Sequence, residues 1–487
     1  MDRLDEDLNP LLGKSSVWVQ RLIHDNVLEA LFRAEGQRVV PHLAHGYRWE
    51  AERKRLVLQL EQGARFHDGR PLTSADVRYT LDTLRRKRHV NPFLLQALAS
   101  VRQIDDPSAH TVHVYTLDPT PDHLLRTLTE IGIVPAHRYR RFGLGSSSLN
   151  RQPLGTGPYK VAPRAAHKGS VFLLRNNDYW GRKPAYARIE LRPIADRARA
   201  LSALRNGEVD MLPDLFWGYY PEQIRGERFK RRFQTRKIQP FRLRVVLFNH
   251  ARRPLKDRRV RVALVRAIDR RLIARQQRGR LSLLLSAPLW PLSRHYDRML
   301  HPRSFNQQAA AQLLDRAGYA LGKGGRRQRL GQPLSLRILC AKDPLAQKIA
   351  TNITRDLRAL GVSVGIDLAD FGMMQALLRR GRFDLAVAGL SLRPYASLKN
   401  FLHSKGRFNF GRYENSAVDQ LLEVSSPLAQ GGAPGTGRRL HRLLMEDPPM
   451  VVIYAPIEMM LASRRVGGIR DDGLWPPLWR LYPMELP

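Results

Sequence analysis

Between residues 334 and 390 the chain alternates strand and helix patterns so regularly that it must build an α/β layer. Residues 334–339 (LSLRIL) read as a strand. In 346–360, Ile349, Ile353, Leu357 and Leu360 share one helical face, and Gly361 follows as a stop signal. Residues 362–368 read as a second strand, 371–380 as a helix ended by Gly381, and 383–390 as a third strand. Strands joined by helices pair in parallel, with the helices covering the sheet faces.

An earlier stretch has the same rhythm. Residues 189–192 read as a strand, 196–206 as a helix stopped by Gly207, and 209–212 as a strand, which predicts a βαβ unit. Two such units far apart in 487 residues predict two lobes, and the length allows about three domains. Residues 17–32 read as a helix with Ser15 or Ser16 as its cap. Thr73 with Asp76 resembles a capping box opening a helix over 74–86. Residues 153–159 (PLGTGPY) read as a rigid turn, and 425–437 as a surface loop.

Composition excludes several classes. With 43% hydrophobic residues in recurring runs, the chain can fill cores and is not a disordered polymer. Its one cysteine, Cys340, excludes an intrachain disulfide and a cysteine-built metal cluster. No run approaches the roughly 18 apolar residues of a membrane span. The net charge of +38 invites a nucleic-acid reading. Yet in its densest basic stretch, 225–280, Val260, Leu264, Ile268 and Leu272 recur at helical spacing, as on an amphipathic helix with a solvated basic face. No nucleic-acid-binding motif accompanies it, so no specific nucleic-acid partner is expected.

Catalytic signatures are lacking. Gly13-Lys14-Ser15 has Leu8 where a phosphate-binding loop needs glycine, and neither G-x-S-x-G nor H-E-x-x-H occurs. His42 and His45 could share a metal, but no third ligand has suggestive spacing. No enzyme activity, cofactor or metal is expected. Ligands of open α/β sheets bind beyond the carboxyl ends of the strands. That rule singles out Trp217, Asn249, Arg393 and Tyr395, each just past a predicted strand.

Eight segments, in order, resemble one family. They are 41–44 (PHLA) with Trp49, 66–77 (FHDGRPLTSADV), 153–159 (PLGTGPY), 177–181 (NDYWG), 206–210 (NGEVD), 260–269 (VRVALVRAID), 311–319 (AQLLDRAGY), and 413–415 (YEN) with Asp419. Together they are similar to the family 5 extracellular solute-binding proteins of ABC transporters, the oligopeptide, dipeptide and nickel group. The resemblance implies a two-lobe periplasmic-binding-protein-like fold of the class II type, α/β, with a subdomain inserted in the first lobe. Its expected layout is 1–35, 152–240 and 456–487 in lobe one, 36–151 as the inserted subdomain, and 241–455 as lobe two. The implied function is capture of peptides or similar solutes by closure of the lobes, and delivery to a membrane permease by a monomeric protein outside the cytoplasm. A cytoplasmic ligand sensor on the same fold is the alternative, and a polyanion-binding protein a weaker one.

The resemblance also places Tyr454 at the ligand, in a strand that returns across the hinge. Ser15 and Ser16, at a helix amino terminus, suit a carboxylate or carbonyl oxygen. Two departures stand out. The first residues, MDRLDEDLNP, carry no signal peptide. The expectation is a start internal to a longer gene product, or a cytoplasmic derivative. In addition, residues 390–400 (LSLRPYASLKN) contain no carboxylate where peptide binders carry an acidic segment. Arg393, Tyr395 and Ser397 stand there instead, which predicts a preference for acidic or amino-blocked solutes unless Asp384 or Asp214 reaches the ligand.

Overall fold

The computed structural model describes residues 7–13, 17–35, 38–86, 91–117, 121–162, 169–239, 242–291, 296–391, 398–424, 435–469 and 481–484. The chain divides into two compact units. The first is Met1–Leu215 with Arg225–Arg236 and Met460–Pro487, and the second is Phe216–Ile224 with Lys237–Met459.

In the first unit, strands Ala44–Glu50, Arg55–Leu60, Thr111–Thr116 and Val101–Ser108 form an antiparallel sheet in that spatial order. Helix Ser74–Arg86 packs on it through Val77, Leu81 and Leu84. Its start makes the carboxylate half of the predicted Thr73/Asp76 capping box, while the Asp76 N–H goes to the Thr73 carbonyl at 3.1 Å and the Thr73 hydroxyl acts as a donor. The Asp76 carboxylate accepts from the Thr73 backbone N–H and hydroxyl, both at 2.9 Å. The other Asp76 oxygen accepts the Ala136 N–H at 2.8 Å.

Two expectations for this unit fail. The first helix spans Val17–Asn26 and not 17–32. Beyond it, the backbone of Asn26 and Val27 faces the 153–159 segment, where the Gly157 N–H donates to the Val27 carbonyl at 3.1 Å. The apolar pattern of 27–31 therefore reports burial under another segment, not a continuing helix. The βαβ unit is also absent. Helix Arg197–Asn206 forms and Gly207 closes it at φ 77°. However, strand Arg188–Leu191 pairs with Val171–Arg175, while Met211–Leu212 pairs with Glu458–Ser463 in another sheet.

The second unit is built on six strands in the order Ser282–Leu283, Met450–Pro456, Arg242–Phe248, Leu385–Ser391, Ser335–Ala341, Ser363–Ala369. Helices Pro344–Arg358 and Phe371–Arg380 follow two of these strands and end near Gly361 (φ 82°) and at Gly381 (φ 65°). Val246, Phe248, Ile338 and Cys340 point into one core layer, and Leu243, Val245, Leu247 and Leu339 into the other. Cys340 is fully buried.

The basic stretch is not one helix with a wholly solvated face. Helix Arg258–Ala267 ends at Ile268, and Asp269 caps a new helix, Arg270–Arg278, by accepting the Leu272 N–H. Arg261 and Arg270 are buried at 5% and 6% exposure. Arg261 pairs with Asp447. Arg270 instead donates to the carbonyls of Leu285, Val452 and Arg303. Burial pushes its pKa down to about 10, so it stays charged at neutral pH.

Candidate functional site

Strand direction locates the site end of the second unit. Ser335–Ala341 runs parallel to Ser363–Ala369 and Leu385–Ser391, whereas Arg242–Phe248 runs antiparallel to Leu385–Ser391 and Met450–Pro456. The carboxyl ends of four strands therefore gather at one end of the sheet. The reversed strand contributes its amino end there, with Arg242 and Arg244.

Tyr454 lies at this end, opposite Arg244 in the strand register. It is 1% exposed and belongs to the core layer. Burial raises its phenol pKa, Arg244 and Arg278 pull it down, and Asp343 adds to the rise. Trp217 sits in the short turn Trp217–Tyr219 and is half-buried. Its ring lies against Gly279, where an added Cβ would come within 3.3 Å of it. Gly279 closes helix Arg270–Arg278, and Leu281 just beyond it accepts the Ile457 N–H at 3.0 Å. Trp217 thus reaches the same end of the sheet as Tyr454.

Asn249 does not. It follows the reversed strand and falls at the opposite end. It is 1% exposed, and its side-chain amide donates to the carbonyls of Gly381 and Phe383 at 3.0 and 2.8 Å. Its side-chain oxygen accepts the Ala251 N–H. Such a side chain braces two loops. The strand-end rule put it with the others because strand direction is invisible in sequence. Ser15, Ser16, Arg393, Tyr395 and Ser397 lie outside the described residues.

Sequence reasoning missed Arg244 and Arg278. Arg244 shares its strand face with the core residues Val246 and Phe248. A charged residue at an inward position of an apolar strand was the available signal. Arg278 ends its helix and donates to the Ile457 carbonyl at 3.0 Å, while its Nε is buried without a partner.

Ser286 and His441 form the pair most suggestive of catalysis, with Oγ and Nε2 2.7 Å apart. The His441 Nδ1 accepts the Asp297 backbone N–H, so the ring proton sits on Nε2 and is donated to Ser286. That imidazole cannot take a proton from the serine. Among the described residues no three His, Cys, Asp or Glu side chains group as a metal site. No helix there is long and apolar enough to cross a membrane.

The family model described as bacterial extracellular solute-binding proteins, family 5 middle, matches residues 38–409. The chain belongs to this family. It is 29% identical to protein XP55 of Streptomyces lividans over 406 residues, covering 81% of this chain and 71% of that one. It is 26% identical to the nickel-binding periplasmic protein of Escherichia coli K12, covering 94% and 88% of the two chains. Brucella relatives are matched over only 61% of their own length. The structure of the oligopeptide-binding protein AppA from Bacillus subtilis, in complex with a nonapeptide, superposes with a TM-score of 0.73. It is 19% identical, and the match covers 100% of this chain and 98% of AppA. The two-lobe fold expected for family 5 is therefore the fold of this chain.

Proposed function

We propose that this chain is the solute-capturing component of an ABC importer, working outside the cytoplasmic membrane. It binds peptides or similar small solutes without chemical change and passes them to a membrane permease. The observation that carries the reading is the family match over 38–409. The likeness to a nonapeptide-bound protein along the whole chain favours peptides as the solute. The nickel-binding relative supports a second reading, a chelated metal as solute. At the site, the reading rests on Trp217 and Tyr454 in the second unit, with Ser15, Ser16, Arg393, Tyr395 and Ser397 as further candidates.

Calorimetry against peptides of two to nine residues, and separately against nickel with histidine, tests it. Saturable binding of one peptide per chain is expected, with a smaller radius of gyration by small-angle scattering. Binding of nickel–histidine alone would reassign the solute. Binding of neither class by folded protein would overturn the reading.

A further inference from the structure

Arg270 is a buried cation without a carboxylate of its own. It is 6% exposed and forms no ion pair among the described residues. A guanidinium carries five N–H donors. The two on Nη1 go to the Leu285 and Val452 carbonyls at 3.0 and 3.1 Å, and one on Nη2 goes to the Arg303 carbonyl at 2.7 Å. The Nε proton and the second Nη2 proton have no acceptor among the described residues. Carbonyl dipoles do not neutralise a buried charge, so a guanidinium left in this state is costly.

The same residue lines a cavity of about 330 Å³ in the second unit. That is the size of a small-molecule site. Arg271, Arg303 and His301 line it as well, and no Asp or Glu among the described residues does. Ser304 adds a hydroxyl, and Ile268, Leu284, Pro302 and Phe305 make up the apolar remainder. Asp269, beside Arg270 in sequence, is committed to capping: it accepts the Leu272 N–H at 2.9 Å. Its own N–H goes to Asp356, which pairs with Arg355. Around Arg303, Glu446 is set against Arg258 and Arg266. Arg270 and Arg271 also open helix Arg270–Arg278, the end where the helix dipole favours an anion over a cation. The cavity is not at the site end of the sheet. Arg278, at the other terminus of this helix, reaches that end, and nine helical residues span about 12 Å. Leu284 follows strand Ser282–Leu283, whose antiparallel pairing with Ala455 and Pro456 leads the chain away from it.

We propose that this cavity is a second ligand site, separate from the strand ends, for a small organic phosphate. The phosphate sits at Arg270 and Arg271, whose guanidinium donors meet its oxygens. Its apolar or aromatic group packs toward Leu284 and Phe305. A phosphate dianion answers the excess of cations better than a single carboxylate, and His301 and Ser304 offer donors to its remaining oxygens. The proposal does not depend on which solute the strand ends receive.

The test is calorimetry at physiological salt with phenyl phosphate, inorganic phosphate and phenylacetate as probes. One phenyl phosphate per chain should bind about tenfold or more tighter than either other probe. Arg271→Gln should weaken it by about fivefold or more, and Phe305→Ala should bring it to within about threefold of inorganic phosphate. Both residues are exposed, so these variants should fold. Arg270→Lys, which keeps the buried charge but loses the fork, should weaken phenyl phosphate as well. Uptake at many sites without saturation, as a chain of charge +38 would show by surface attraction alone, would overturn the proposal. So would the absence of binding, an affinity that both surface substitutions leave unchanged, or a phenylacetate affinity equal to that of phenyl phosphate.

Discussion

Glu29 shows how one residue can hold a unit together. It is 2% exposed, yet its carboxylate accepts from His42 at 2.6 Å, Arg33 at 2.9 Å, Tyr179 at 2.6 Å, and Thr156 and Trp180 at 3.1 Å. Burial alone would raise its pKa, but the His42 hydrogen bond and the neighbouring charges reverse the shift and lower it. His42 moves down from 6.5, chiefly through burial, so it stays neutral and donates its Nε2 proton to Glu29. His67 is pushed down to about 4, again chiefly by burial. All three folded-state pKa values lie below the unfolded ones. Their stability is therefore present above the unfolded values and is lost as pH falls: through the histidines from about 6.5 downward, then through Glu29 below 4.5. Thermal unfolding should show a falling midpoint between pH 6.5 and 4, and a midpoint flat across that range would contradict it. Glu29→Ala leaves several buried donors unmatched and should cost the first unit about 3–5 kcal/mol in urea unfolding. A loss below 1 kcal/mol would mean that water replaces the carboxylate.

At the scale of elements, glycines separate what was readable from what was not. Gly207, Gly361 and Gly381 announced helix ends, because a positive φ after a helix is a local requirement that leaves a local signal. The 153–159 pattern predicts a turn at Gly155 and Gly157, but neither has a positive φ. They are small because the backbone of Asn26 and Val27 runs against them, a contact across more than 120 residues that no local pattern encodes. His67 clamps the same segment, accepting the Gly155 N–H at 3.3 Å and donating to the Gly157 carbonyl at 3.0 Å. A Cβ at Gly155 would lie 2.0 Å from the Val27 oxygen, whereas one at Gly46 would meet nothing within 4 Å. Gly155→Ala should therefore destabilise by about 3 kcal/mol or more, and Gly46→Ala by about 0.5 kcal/mol or less, both read by chemical denaturation. Equal effects would show that the 153–159 segment can lift away. The candidate site divides in the same manner. Strand ends could be found from periodicity, but the reversal of Arg242–Phe248 could not, and it took Asn249 to the far end while bringing Arg244 to the near one.

For the whole molecule, the charge of +38 is not only a property of its surface. Arg261, Arg270 and Arg327 are buried within the second unit, and Arg327 joins Asp315 at 2.5 Å to the Tyr319 and Leu360 carbonyls. Composition counts such arginines as surplus, whereas the fold uses them as interior ties between helix and loop. The second unit also contains the chain's one thiol, and this turns Cys340 into a clock. Burial pushes its pKa up to about 11, so thiolate is scarce at neutral pH and a disulfide reagent reacts only with molecules whose second unit has opened. The labelling rate then counts openings of that unit alone, with no background from the first. Glu29→Gln, which perturbs only the first unit, should leave this rate at the wild-type value. If labelling accelerates instead, the two units open as one cooperative body, and the tempo recorded at Cys340 belongs to the whole chain.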